Sequence, residues 1–202
     1  MRKVYFLAVA LLLALGTVPS FAAPFVGTGA GQVCSSGAPD NRYTLLSAPP
    51  GVPLDAKVNT GYSAWVGAPN GNCWINPSGN GADSFPAGFY DYQITFDWGT
   101  GNLSSSFAAD NNAEIWLNGI NTGIGTTGGV IGFDHLTPFT LTTADGLREN
   151  ATNYIDFVVY NWLEAPGPTG LLVTGAVPEP GTLVMFGPGV LGAIGLLRRK
   201  LL

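Results

Sequence analysis

The clearest pattern in the chain begins at Tyr90. Tyr90, Tyr92, Ile94, Phe96 and Trp98 alternate with Asp91, Gln93, Thr95 and Asp97, the period of two that gives a strand one buried and one wet face. The stretch 113–118 repeats it, with Ile115 and Leu117 against Glu114, Trp116 and Asn118, and Asn118-Gly119 is a strong two-residue hairpin signal. A third strand is expected at 138–143. A fourth, 153–162, sets Ile155, Phe157 and Val159 against Asp156, Val158, Tyr160 and Trp162, and 171–174 supplies a last one. The first third, as far as Asp83, is rich in Gly, Pro, Asn and Ser, with apolar islands at 43–46 and 62–66 that read as short strands in long loops. Residues 110–114 read as an acidic turn. Helical periodicity is absent from the body, so the expected fold is all-β, a single antiparallel jelly roll or β-sandwich.

Both ends of the chain follow other rules. Arg2 and Lys3 precede an apolar core at 4–15, and Ser20-Phe21-Ala22 offers small residues at the two positions a signal peptidase reads, so 1–22 is expected to be a cleaved signal peptide. At the other end Pro178-Glu179-Pro180 is followed by an uncharged apolar run, 183–197, and then by Arg198-Arg199-Lys200. As a helix the run would reach about 25 Å, near the lower limit for a bilayer core of about 30 Å. The basic cluster favours the cytoplasmic face, which puts the body, 23–176, on the outer side as one domain.

The order Pro-Glu-Pro, short apolar segment, basic cluster resembles the PEP-CTERM sorting signal of Gram-negative bacteria, here 177–202. The resemblance implies recognition by an exosortase, a membrane transpeptidase or protease. It also implies cleavage near Pro178 to Pro180, and passage of an inner-membrane-anchored precursor to the cell surface or an extracellular matrix such as a biofilm.

Setting the two ends aside changes the charge. Arg42, Lys57 and Arg148 are the basic residues left in the body, against twelve carboxylates between Asp40 and Glu164, a net charge near minus nine. Such a surface repels phosphates, which excludes nucleic acid as a partner. Cys34 and Cys73 lie in an exported body, where pairing is the expected state. The bridge would close a loop of about 38 residues and stabilise by about 4 kcal/mol on the chain-entropy model.

The run from Phe107 through Asp110, Asn112 and Glu114 to Asn118-Gly119, then Thr137-Pro138-Phe139, then 150–161, resembles the galactose-binding-like jelly roll of carbohydrate-binding modules. The resemblance implies a sugar-binding sandwich. Sugars stack on aromatic faces while their hydroxyls pair with planar polar groups, which makes Trp116, Asn118, Tyr160, Asn161 and Trp162 the candidate ligand residues. Asp110, Asn112 and Glu114 form a candidate calcium set because hard oxygen ligands cluster there; no other cofactor is expected. No nucleophile elbow or phosphate loop is present, and most carboxylates are explained as wet-face or turn residues. The expected function is binding of exopolysaccharide glycans. A structural or adhesive matrix protein without a ligand site is the alternative, and a polysaccharide hydrolase a third.

Overall fold

A computed structural model describes residues 24–69, 71–126, 132–161 and 166–175. The expected signal peptide and the whole sorting segment, including the run 183–197, lie outside the described residues. Among the described residues no helix is long and apolar enough to cross a membrane.

Ten strands form two five-stranded sheets. They are β1 (Tyr43–Ser47), β2 (Lys57–Asn59), β3 (Trp74–Asn76), β4 (Gly88–Trp98), β5 (Leu103–Asp110), β6 (Asn112–Leu117), β7 (Ile120–Gly125), β8 (Thr137–Leu141), β9 (Ala151–Asn161) and β10 (Gly170–Val173). The first sheet runs β1-β4-β9-β6-β7 and the second β2-β3-β10-β5-β8, with every pairing antiparallel. Among these strands only β2–β3 and β6–β7 are neighbours in both sequence and sheet; each other connection changes sheets, the crossing pattern of a jelly roll. The protein is therefore an all-β sandwich.

The inner faces interdigitate. Tyr90, Tyr92, Ile94 and Phe96 of β4 and Ile155, Phe157 and Val159 of β9 are buried, as the alternation predicts. They meet Ile75, Leu103, Phe107, Leu141, Leu171 and Val173 of the second sheet in one core. Phe157 reaches across the layers, its ring 5.8 Å from Phe107 and 6.1 Å from Phe139, within the range where edge and tilted contacts add to burial.

The two outer faces differ, and this difference positions the site. The outer face of the second sheet is roofed: Trp65 lies on Trp74 with ring centroids 4.3 Å apart, and both pack with Ala108, Leu172, Phe133 and Leu136. The island 62–66 is therefore not a strand; it is a turn that delivers Trp65 to the sheet. The outer face of the first sheet carries half-buried and exposed side chains from β4, β6 and β9.

Each edge strand is blunted. In β1 the register shifts between Leu45 and Ser47. In β7 two extra residues, Thr122 and Gly123, sit between Asn121 (opposite Trp116) and Ile124 (opposite Ile115), and Gly123 adopts φ 72°. Pro138, which has no N–H to offer, stands in β8, and β2 is covered by a bridge from Pro39 to Lys57.

The disulfide forms as expected between Cys34 and Cys73, 39 residues apart, with Cα atoms 5.2 Å apart. Beside it the two ends of the described body meet: the Thr28 amide donates to Val173 O at 3.0 Å, and the Val173 amide donates to Thr28 Oγ1 at 3.0 Å.

Candidate functional site

The open face of the first sheet is laid out by the ladders. Phe89 on β4 stands opposite Tyr160 on β9, which stands opposite Asn112 on β6. One step along, Asp91, Val158 and Glu114 align, and one further step aligns Gln93, Asp156 and Trp116. Val158 is thus surrounded by Tyr160 and Asp156 along its own strand and by Asp91 and Glu114 across it.

Phe89 and Tyr160 stack with centroids 4.7 Å apart and planes 25° from parallel. Phe89 is 62% exposed, an unusual state for so large an apolar ring, and Tyr160 is 36% exposed. The pair walls a cleft of about 510 Å³ whose lining also includes Val158, Glu114, Asn112 and Asn121. Across it the Asn121 amide donates to Glu114 Oε2 at 3.1 Å, and Asn112 Oδ1 accepts from Thr126 Oγ1 at 3.1 Å. The glycines of β7 keep the far wall low: Gly123 and Gly125 line the cleft without side chains.

Beside the cleft the carboxylates crowd. Partial burial pushes Asp91 up to about 6, and the negative charge of Asp156 adds to the rise. Asp156 is also raised by burial, while the Gln93 amide, donating to its Oδ1 at 2.7 Å, lowers it in part. Asp91 Oδ1 is shielded and has no hydrogen-bond partner among the described residues, and the same holds for the Trp116 indole nitrogen.

The structure distributes the sequence-derived candidates unevenly. Tyr160 is in the cleft. Trp116 is on the same face, half-buried between Asp156 and Asn121 rather than presented as an open platform. Asn118 is not a wet-face strand residue. It occupies the β6–β7 turn at φ 52°, where its amide donates to Gly146 O and Asn153 Oδ1, both at 2.9 Å, and its oxygen accepts from the Tyr154 amide at 3.1 Å. Asn161 is fully buried and its amide faces the carbonyls of Phe85, Pro86 and Gly167 at 3.2–3.4 Å, which leaves a ligand no access to it. Trp162 lies outside the described residues.

The acidic stretch at 110–114 is not a turn. Asp110 ends β5 in the second sheet, and Asn112 already belongs to β6 in the first. Asp110 is 4% exposed and its Oδ2 accepts the Trp65 indole N–H at 2.9 Å, so it does not gather with Asn112 and Glu114 around one point. Among the described residues no group of three or more His, Cys, Asp or Glu side chains is placed to hold a metal ion. Phe89 was the residue that periodicity should have supplied: it stands two before Asp91, in the wet phase of β4, and a large ring in that phase is the anomaly that marks a surface with work to do.

The described body is a β-sandwich of jelly-roll type with one roofed sheet and one open one. Residues 176–200 match the PEP-CTERM protein-sorting motif, and Pro178, Glu179, Pro180, Arg198, Arg199 and Lys200 all fall within that stretch. The protein is accordingly an exported one that exosortase processes. No curated relative and no solved structure matches the chain.

Proposed function

We propose that the protein is a non-catalytic glycan-binding module, displayed at the cell surface or in an extracellular matrix after exosortase processing. One observation carries this reading: the stacked, exposed Phe89–Tyr160 pair forms the wall of a cleft whose other sides carry Glu114, Asn112 and Asn121. An aliphatic sugar face gains from such a platform, and the amides and carboxylate beside it match ring hydroxyls. Asp91, Asp156 and Glu114 stand side by side on one sheet face, whereas glycosidases need two carboxyl groups facing each other across the scissile bond, about 5–10 Å apart.

The test is a glycan-array screen of the full chain, purified in a detergent that has no sugar headgroup. Saturable binding is expected, weakened about tenfold or more by Tyr160→Ala or Phe89→Ala through loss of the stacking surface, with less effect from the half-buried Trp116→Ala. Calcium and chelator should give the same affinities, because Asp110 is committed to Trp65. A folded protein that binds no glycan would leave a structural matrix role in place of this one.

A further inference from the structure

The cleft has a charge as well as a shape. On the face that holds it, Asp91 and Glu114 flank Val158 from the two neighbouring strands, and Asp156 follows on the same strand. Residues diagonal across a ladder lie within about 7–8 Å, close enough for like charges to repel. The basic residues of the described body stand elsewhere: Arg42 precedes β1 and donates to Pro24 O, Lys57 at the start of β2 pairs with Asp55 just before it, and Arg148 lies in the segment before β9. No strand of the first sheet carries a Lys or an Arg.

Resting on the glycan-binding reading, we propose that this cleft selects amine-bearing glycans, namely polymers of amino sugars whose nitrogen is free rather than acylated. A ring stacked on Phe89 and Tyr160 places its neighbouring residues over Val158, where an ammonium group lies beside Glu114 and in the combined negative field of Asp91 and Asp156. The carboxylates alone would be an ordinary acidic surface. What gives them a ligand is the exposed aromatic wall one ladder step away, with Glu114 itself lining the cleft that the wall bounds. An ammonium supplies three donors and relieves the repulsion between Asp91 and Asp156. Uronic acid polymers are disfavoured by the same three charges, and acylated amino sugars stack equally well and gain nothing from them.

The experiment compares three hexamers by calorimetry with the full chain in the same detergent: glucosamine, N-acetylglucosamine and galacturonate. The glucosamine hexamer is expected to bind about tenfold tighter than its acetylated counterpart, the worth of one charge-assisted hydrogen bond, and the advantage should shrink as salt is raised. The double variant Asp91→Asn, Asp156→Asn changes two carboxylates that stand beside the cleft rather than in its lining and keeps the shape of both side chains; it should remove most of the preference while retaining binding of the acetylated hexamer, with an unchanged circular dichroism spectrum and melting curve shape as the check on folding. Equal affinity for the two amino-sugar hexamers, both lost in Tyr160→Ala, overturns the amine selectivity and keeps the glycan site. Preference for galacturonate overturns it too. Absence of binding to all three and across the array removes the glycan reading itself.

Discussion

Burial governs the behaviour of Asp110. Its carboxyl is pushed from 3.8 up to about 6, with the Trp65 indole donor partly opposing the effect of burial. In the unfolded chain the group loses its proton first, so the folded state holds more protons between these values. Stability from this source is complete below 3.8 and is lost as the pH rises through about 6, an effect of at most about 3 kcal/mol. Asp91 and Asp156 are raised for the same leading reason and push in the same direction. The melting temperature should therefore fall as the pH is taken from 4 to 7.5. In Asp110→Asn, which keeps an acceptor for the Trp65 N–H but cannot ionise, that fall should be shallower. Thermal melts of both proteins across this range decide it, and parallel curves would show that the charge on Asp110 carries no such cost.

At the scale of strands, what could be read in the chain depended mainly on whether a strand keeps a wet face. β4, β6 and β9 have one buried and one open face, so Tyr90 through Phe96 and Ile155 through Val159 alternate visibly with polar residues. The inner strands of the second sheet are covered on both sides, unlike its edge strand β8, which alternates: β10 and β3 are buried throughout, so that β10 shows only as a short apolar run, and β5 ends in Phe107, Ala108, Ala109 and Asp110, all buried. Without a wet face there is no period of two to detect, which is why β3 and β5 were missed and why Asp110 was read as a turn residue. The site was legible only in part for a related reason. Tyr160 follows from its phase, but the partner that makes it a platform, Phe89, lies one residue outside the obvious alternation. The hairpin was readable to the residue. Asn118 and Gly119 take φ 52° and 80°, as a two-residue turn of this type demands, and what the dipeptide signal did not foretell is that Asn118 also ties the turn to Gly146, Asn153 and Tyr154. Removing those bonds in Asn118→Ala should cost about 2–3 kcal/mol, read as a lower urea midpoint with unchanged slope.

For the whole molecule, the bridge between Cys34 and Cys73 joins the loop-rich first third to the second sheet. The two cysteines were paired correctly from the expectation of export, and the structure adds where the tie acts: Cys73 donates its amide to Thr28 O at 2.8 Å, beside the junction of Thr28 with Val173. Reduction should lower the unfolding free energy by about 4 kcal/mol, since a 39-residue separation is opened in the unfolded chain; denaturation with and without reductant, with the double Cys→Ser variant as control, measures it. The placement of β10 has a mechanical side. This short strand is the middle member of the second sheet, bonded to β3 on one flank and β5 on the other, and the sorting motif begins three residues after it ends. A pull delivered through that end is taken up by a strand with partners on both flanks, clasped by Thr28 as well, instead of peeling away a strand from the rim. The chain thus leaves for the sorting motif from the interior of a sheet, not from its rim.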